Sequence, residues 1–279
     1  MQKHCVSAAP DSLDVSRGKE RGLGFLTANG ALYIGPTLNT TVHFSHAYKI
    51  YITLHGELTL QLADGRRLSP PDSVVVAPDQ PHCTVDNGAV IAIFYLLPET
   101  AEGRLVSRLN RGRDIFAMRP DNAAALARRL QRFSRNGCTP AEAAETSRDL
   151  YGNMIKESDT HEILDKRIKL VIEYLDAALD SRMTVPELAS SVSLSPSRVE
   201  HLFNEQVGIS ISRYLLWRRL HRALIMFSGS KTLTQVAHDA GFADSAHLSR
   251  TFRRMLGLPP STIKRDINLS QAGEILHRA

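Results

Sequence analysis

The sequence predicts a multidomain α and β fold: an N-terminal antiparallel β-barrel, a helical-hairpin connector and a C-terminal all-α domain with two helix-turn-helix units joined by a long helix. Three observations predict it. Short strand-like segments separated by turn residues fill the first hundred positions, helical spacing of apolar residues follows, and one helix-turn-helix pattern occurs twice near the C-terminus. We therefore expect domains at 1–100, 101–159 and 160–279.

The first domain is predicted from alternation and turns. Leu58, Leu60 and Leu62 alternate with polar residues, and Asp64-Gly65 follows them as a hairpin turn. Further β-rich runs, bounded by Pro, Gly, Asp or Asn, lie at 41–44, 49–54, 73–77 and 90–97. Many short antiparallel strands separated by such turns are typical of a small barrel or sandwich.

The connector is predicted to be two helices. Leu126, Leu130 and Phe133 repeat at helical spacing, and a second helix begins near Thr139-Pro140 and continues to about residue 155. The short Asn136-Gly137 break between the helices makes a helical hairpin. Its apolar stripe must be buried either on the barrel or against a second copy, and we expect the hairpin to pair two subunits.

The composition is that of an ordinary globular protein with an uneven charge distribution. Apolar residues make up 43% of the 279 and charged residues 23%. Residues 160–279 carry 16 Lys/Arg and 12 Asp/Glu, whereas residues 1–100 carry 7 and 9. A basic C-terminal region fits a polyanionic partner. The three cysteines, Cys5, Cys83 and Cys138, have no paired spacing, so neither a disulfide framework nor a zinc cluster is predicted.

The N-terminal segment has no apolar core that could act as a signal peptide, and no run of 18 apolar residues occurs in the chain. We therefore expect a cytoplasmic protein without membrane contact. Residues 1–30 are rich in Gly, Ser and charge. They either form an arm over the mouth of the barrel or are partly disordered, and we favour partial disorder.

One pattern of residues occurs twice in the C-terminal domain, near 184–207 and 232–256. Ala189 in the first copy corresponds to Ala237 in the second, and the small residue at this position lets the next helix approach closely. One extra residue in the second turn leaves the apolar residues that follow it in correspondence. A repeat that keeps its apolar residues and its turns indicates two copies of one structural unit.

The second helix of each unit begins at a capping residue, Ser195-Pro196 in one unit and Asp244 in the other. The residues on the polar side are Ser197, Glu200, His201 and Asn204 in the first helix, and Ser245, Ala246, Ser249, Arg250 and Arg253 in the second. A single polar helix face is most often only solvated. The same face found twice, each time after a helix-turn pattern, indicates helices that enter the major groove of DNA.

A long helix is predicted between the units, from Ser210 to Phe227, and it includes Arg218 and Arg219. Its length of about 27 Å can hold two recognition helices near the separation of about 34 Å between successive major-groove faces. One chain could then read two adjacent groove segments.

The second unit carries a specific set of residues: Val236-Ala237, Gly241-Phe242, the run from Ser249 to Phe252, Gly257 and Pro260. Because of this set, the region 163 to about 265 resembles the DNA-binding domain of AraC/XylS family transcription regulators. Ser193 is a departure from the family pattern, since it stands at a turn position where Gly is common. The resemblance implies base contacts from Ser197, Glu200, His201, Ser245, Ala246, Ser249 and Arg250. Phosphate contacts are expected from Arg218, Arg219 and Arg253. Arg250 should make the strongest base contact, because a guanidinium can bind O6 and N7 of guanine together.

The β region carries Tyr51, Gly56-Glu57, the run 71–78 and Pro81-His82, in which residues 41–97 resemble the cupin-type sensory domain that many members of this family carry. Tyr51, Thr53 and His55 share one strand face and Ile50, Ile52 and Leu54 the other, and the sequence leaves open which face lines the interior. The candidates for an effector pocket are His43, His46, Tyr51, Thr53, His55 and His82.

A metal is not expected in the barrel. Lys49 stands where catalytic cupins place a Glu, and His43 and His46 are three residues apart, which on a strand points them to opposite faces. No cofactor is therefore predicted. A divalent metal, if one were bound, would use His82 with His43 or His46.

The sequence thus predicts a sequence-specific DNA-binding transcription regulator, an activator or a repressor, that is controlled by a small-molecule effector in the barrel. Its expected partners are double-stranded DNA, the effector, a second copy of the chain in a homodimer and, for an activator, RNA polymerase. Enzyme activity is not expected. Two alternatives stay open: a cupin metalloenzyme fused to a helical domain, and a constitutive DNA-binding regulator whose barrel serves only dimerisation.

Overall fold

The computed structural model of the chain describes residues 21–27, 30–70, 73–110, 112–117, 120–155, 164–179, 184–227 and 229–271. The predicted order of a β-rich domain, a helical hairpin and an all-α region with two helix-turn-helix units is confirmed. None of the helices in these ranges combines the length and the apolar character needed to span a bilayer.

The strands in the described ranges form two sheets. They are β1 (Gly22–Thr27), β2 (Gly30–Pro36), β3 (Tyr48–His55), β4 (Thr59–Leu62), β5 (Arg67–Leu68), β6 (Ser73–Val76), β7 (His82–Val85), β8 (Val90–Leu96), β9 (Ile115–Ala117) and β10 (Ile267–Gln271). The large sheet has the order β10-β1-β2-β8-β3-β6-β9, and the small sheet has the order β5-β4-β7. The strand pairs within residues 22–117 are antiparallel, as predicted, and the parallel pairing of β1 with β10 from the C-terminal region makes the larger of the two sheets mixed.

Alternation along β3 gives the large sheet two buried faces. Ile50, Ile52 and Leu54 pack against the helices of the connector, whereas Tyr51 packs with Leu60 of the small sheet. Each of these side chains is at most 6% exposed. The question that the sequence left open is thereby answered: the face that carries Tyr51 looks into the interior between the sheets.

Three helices of the connector cover the other face of the large sheet: α1 (Ala101–Asn110), α2 (Pro120–Asn136) and α3 (Pro140–Ile155). The helical hairpin of α2 and α3 is confirmed, with Gly137 in the left-handed conformation at its turn (φ 82°). Leu126, Leu130 and Phe133 are buried in the same core as Ile50. The apolar stripe of the hairpin is therefore buried on the sheet, and α1 is an element that the sequence did not predict.

The C-terminal region contains α4 (Lys166–Ala177), α5 (Val185–Ser191), α6 (Pro196–Val207), α7 (Ile211–Met226), α8 (Leu233–Asp239), α9 (Ser245–Leu256) and α10 (Pro260–Asp266). The first unit has its own core, in which Ile168 of α4 and Phe203 of α6 are fully buried. The core of the second unit is continuous with the interior face of the large sheet, where Phe252 of α9 joins the cluster that contains Tyr51. The helix α7 contributes to both cores.

After α10 the chain returns to the N-terminal domain. Ile267–Gln271 forms β10 parallel to β1, with Gly22 opposite Ile267 and Leu26 opposite Gln271. The expectation of disorder for the N-terminal segment is therefore wrong for Gly22–Thr27, which is held between β2 and β10. Residues 1–20 and 28–29, which that expectation also covered, lie outside the described residues.

The strand predicted at 41–44 does not form. His43 makes only an isolated bridge to His82. Two backbone amides of this segment donate to the C-terminal domain and not to a strand: Thr41 N donates to Gly257 O, and Phe44 N donates to Arg254 O. This segment is thus a loop that joins the sheet domain to the end of α9.

Candidate nucleic-acid interface and adjoining cavity

Local interactions stabilise the first helix-turn-helix unit at the start of each helix and in the turn between them. At the start of α5, Thr184 and Glu187 form a capping box, in which Thr184 N donates to Glu187 Oε2 at 2.7 Å. In the turn, Ser193 takes the left-handed conformation (φ 54°), which is uncommon for a residue other than Gly. Ser195 then caps α6 by accepting from Arg198 N.

The second unit repeats this construction. Thr232 and Gln235 form the capping box of α8, Gly241 occupies the left-handed turn position (φ 79°), and Asp244 caps α9 by accepting from His247 N at 2.6 Å. The capping of both recognition helices is confirmed. The two capping boxes were not predicted, although Thr followed three residues later by Glu or Gln is their recognised sequence signature.

Buried side chains fix the rotation of the two recognition helices. Val199 and Phe203 of α6, and Leu248 and Phe252 of α9, have no exposed surface. Turning either helix about its axis would bring these side chains into water, at a cost of about 1.5–3 kcal/mol for each. The opposite faces are therefore held towards solvent in a fixed orientation.

Those outward faces hold the residues predicted to contact bases. The exposed ones are Ser197, Glu200, His201, Ala246 and Arg250. Ser245 and Ser249 are half-buried, and Ser249 Oγ donates to Ser245 O at 2.8 Å. The hydroxyl proton of Ser249 is thus used within the helix, which leaves its oxygen as an acceptor for a base amino group.

The three arginines predicted to contact phosphates lie in different surroundings. Arg253 is exposed on α9. The side chain of Arg218 is only 13% exposed, and its Nε lies 2.7 Å from Oδ1 of Asp176 on α4. The Arg218 charge is thus paired inside the first unit, and its contact with phosphate stays a prediction. Arg219 is half-buried beside the turn at Gly241, and its contact with phosphate stays a prediction.

A cavity of about 100 Å³ lies between the large sheet and the second unit. One side is formed by β1, β2, β3 and β8, and the other by α7, α9, α10 and β10. Its walls are mostly apolar and include Phe25, Leu32, Ile93, Trp217, Leu220, Leu256, Leu258 and Ile263. The sequence predicted a pocket inside the β domain alone, because no local pattern shows that α7 and α9 pack on the sheet.

The structure brings some of the predicted pocket residues to this cavity and not others. His43 and Tyr51 line it. His82 lies behind Tyr51, whose Oη is 2.9 Å from His82 Nε2. His55 is exposed, since the register of β3 against β8 shifts between Thr53 and His55. His55 therefore does not line this cavity, and Thr53 is half-buried away from the cavity wall.

His46 belongs to a different contact between the two parts of the chain. Its Nε2 lies 2.9 Å from Glu99 Oε2, and its ring meets the edge of Tyr214 on α7 at a centroid distance of 6.4 Å. Close by, Arg213 of α7 forms an ion pair with Asp79. His46 thus helps to seat the first unit on the sheet domain and does not line the cavity.

Lys49 is buried beside His43 and His82. Its Nζ lies 2.5 Å from His43 Nε2 and 3.4 Å from His82 Nε2. Burial lowers the pKa of Lys49 to about 7; burial and the Lys49 charge lower the pKa of His43 to about 2 and that of His82 to about 3. His82 and His43, named above as candidate metal ligands, do come together, but both direct Nε2 at Lys49. No trio of His, Cys, Asp or Glu in the described ranges has a metal-binding arrangement.

Sequence similarity to known proteins is found mainly in the C-terminal part of the chain. A family model described as a helix-turn-helix domain matches residues 188–266. The arabinose operon regulatory protein of Salmonella typhimurium is 33% identical over 113 residues, which cover 40% of this chain and 40% of that protein. The chain thus spans about 40% of the length of this curated relative in the match.

Solved structures resemble a larger part of the chain. Apo ToxT from Vibrio cholerae strain SCE256 has a TM-score of 0.56 at 11% identity, covering 85% of this chain and 96% of that one. Wild-type ToxT of the same strain, described as bound to an unsaturated fatty acid, has a TM-score of 0.51 at 11% identity, covering 88% and 94%. At this identity the likeness shows a shared fold.

Proposed function

We propose, starting from the helix-turn-helix domain matched at residues 188–266 and the likeness to the arabinose operon regulatory protein, that this chain is an AraC-type, sequence-specific DNA-binding transcription regulator controlled by a small molecule. The observation that carries the proposal is the matched pair of recognition helices. In both α6 and α9 a buried apolar side holds a polar side outward, and both helices begin at a capped turn of the same shape. Two such helices in one chain suit two segments of the major groove.

The two outward faces would read different bases. Arg250 on α9 can pair with O6 and N7 of guanine, a contact worth about 1–3 kcal/mol of discrimination. On α6, Glu200 can accept from the amino group of cytosine, and Ser197 and His201 can bond to either base of a pair. The site read by one chain is therefore asymmetric, with α9 making the stronger contact. Arg253, exposed on the same helix, would contact phosphate.

The cavity supplies a route for control by an effector. Its walls come from both the sheet and the second unit, so a ligand inside it binds the docked arrangement better than a separated one. The mostly apolar walls favour an apolar effector. The likeness to ToxT, described in one structure as bound to an unsaturated fatty acid, supports this class of ligand.

A homodimer in the cytoplasm is the assembly that we propose, with RNA polymerase as a further partner if the protein is an activator. Because the apolar stripe of the hairpin is buried on the sheet, pairing would use its outward faces, where Arg128 and Arg148 are exposed. Sedimentation of the full chain tests the dimer: a single monomeric species at micromolar concentration would contradict it.

Selection from a random pool of double-stranded DNA tests the function. The full chain is incubated with the pool at about physiological salt, and bound DNA is sequenced over several rounds. We expect an enriched asymmetric site with two conserved segments about one helical turn apart. Binding without enrichment of any sequence would contradict the proposal, as would turnover of a substrate by a metal-loaded form. An enriched site whose affinity responds to no ligand would support the constitutive alternative.

A further inference from the structure

A second cleft lies between the connector and the first helix-turn-helix unit. Its volume of about 340 Å³ exceeds the 100 Å³ of the cavity beside the second unit. One wall comes from α1 and the start of β3, and the opposite wall comes from the last turn of α6. Its polar lining includes Tyr48, Arg104, Ser107, Arg108, Glu205 and Gln206. A cleft of this size and polarity can enclose a small polar metabolite.

Two arginines give the α1 wall of this cleft a positive charge. Arg104 and Arg108 are four residues apart on α1, so they lie on one face of the helix with Cβ atoms about 5–6 Å apart. The side chain of Arg104 is held in place, because its Nη1 donates to Glu99 O at 2.5 Å. The carboxylate of Glu99 lies 2.9 Å from His46 Nε2. Burial raises the pKa of Tyr48, so the phenol in this wall stays neutral.

The α6 wall offers acceptor oxygens and one amide group. Glu205 is exposed on the last turn of α6, and the final carbonyl groups of that helix carry its partial negative charge. Gln206 Oε1 accepts from Asp165 N at 2.9 Å, which leaves the NH₂ group of Gln206 as its donor at this wall. Hydroxyl groups suit such a wall, because they can donate to Glu205 and accept from Gln206.

We propose that this cleft binds a small phosphate monoester whose body carries hydroxyl groups. The phosphate accepts from Arg104 and Arg108, since its three oxygens and nearly two negative charges match two guanidinium groups better than a carboxylate does. The hydroxyl groups of the body face Glu205 and Gln206.

Such a ligand bridges two parts of the chain. The connector supplies the arginine wall and the first unit supplies the other, so the bound ligand favours the arrangement in which α6 is docked on the connector. The cleft is thus a second point of small-molecule control, separate from the apolar cavity. The proposal depends neither on DNA binding nor on a ligand in that cavity.

Calorimetric titration of the full chain, without DNA, tests the proposal. The probes are ribose 5-phosphate, ribose and inorganic phosphate, which separate the anion from the hydroxylated body. We expect ribose 5-phosphate to bind with a Kd below about 1 mM and at least about tenfold more tightly than either fragment. A weaker Kd for ribose 5-phosphate, or equal affinity for it and either fragment, would overturn the proposal.

Three variants assign the binding to the two walls. Arg108→Gln should weaken ribose 5-phosphate about tenfold or more and leave ribose unchanged, because it removes one guanidinium partner of the phosphate. The matched control Arg148→Gln, at an exposed position of α3, should bind as the unaltered chain does. Glu205→Gln, on the opposite wall, should weaken ribose 5-phosphate but not inorganic phosphate. Unchanged affinity of Arg108→Gln for ribose 5-phosphate would contradict the assignment of the phosphate to α1.

A measurement on the unaltered chain covers the case in which Arg108→Gln does not fold. Ribose 5-phosphate should slow amide hydrogen exchange in α1 and in the last turn of α6, because the ligand holds these two walls together. Exchange in α9 should stay the same. Protection confined to elements other than α1 and α6 would overturn the site. DNA selection can fail while this binding persists, so the failure of one proposal is distinguishable from the failure of the other.

Discussion

Gly257, the residue that ends α9, lies directly against His43 in the wall of the cavity. Gly257 is in the left-handed conformation (φ 72°), and a Cβ added there would be 2.6 Å from His43 Nδ1. The same loop holds the end of the helix, since Thr41 N donates to Gly257 O at 2.9 Å. A ligand that moves His43 therefore disturbs the anchor of a recognition helix through a single contact.

The substitution Gly257→Ala should weaken the docking of the second unit. Gly208 ends α6 in the same conformation (φ 82°) but has open space around its Cβ position, so Gly208→Ala is the matched control. The control should lose about 1 kcal/mol of unfolding free energy from the left-handed backbone alone. Gly257→Ala should lose about 1–3 kcal/mol more, because the methyl group would overlap His43 and Thr40. If chemical denaturation gave the same loss of unfolding free energy for both variants, the contact between Gly257 and His43 would not be tight.

Arg250→Ala should reduce binding to the selected DNA site by about 1–3 kcal/mol and relax the choice of one base. Arg253→Ala, on the same exposed helix, should instead weaken all sequences alike and reduce the slope of affinity against salt by about one counterion. Gel-shift titrations at several salt concentrations separate the two effects. Full retention of specific binding by Arg250→Ala would show that Arg250 does not make the main base contact.

Arg218→Ala should affect folding and leave the salt dependence of DNA binding unchanged. The substitution removes the partner of Asp176, whose pKa is already raised by burial, so a carboxylate would remain without its ion pair. We expect a loss of about 1–3 kcal/mol in unfolding free energy. A reduced salt slope with unchanged stability would show instead that Arg218 contacts phosphate.

Acid should destabilise the protein already between pH 6.5 and 5, above the range in which most carboxylates titrate. The unfolded chain binds protons on His43 and His82 near pH 6.5, whereas the folded chain does so only near pH 2 and 3. Protons in this window therefore favour unfolding, by about 1.4 kcal/mol per pH unit for each histidine once its unfolded form is protonated. His82→Gln should lower the slope by about one proton. An unfolding free energy that is flat across this window would contradict the neutral state of both rings.

The helical part of the fold could be predicted because its determinants are local. Capping residues such as Ser195 and Asp244, and apolar residues such as Phe203 and Phe252, signal the same unit twice within about fifty residues. Even with Ser193 where the second unit has Gly241, the turn of the first unit keeps the left-handed backbone conformation.

The remainder depends on contacts between distant residues. β1 was missed because it is buried on both faces and shows no alternation, and its partner β10 follows it by more than 240 residues. Lys49 was read only as a missing metal ligand, since no sequence pattern shows that His43 and His82 direct their acceptor nitrogens at its ammonium group. The cavity wall formed by the C-terminal helices, which includes Trp217, was not predicted either, because no sequence pattern shows that these helices pack on the sheet.

Hydroxyl-radical footprinting of the full chain on its selected DNA site tests the central claim most directly. Two recognition helices in one chain predict two protected segments per chain, about one helical turn apart, with Arg250→Ala weakening only the segment bound by α9. Protection of a single segment, or protection that does not depend on sequence, would contradict the claim that both units read DNA.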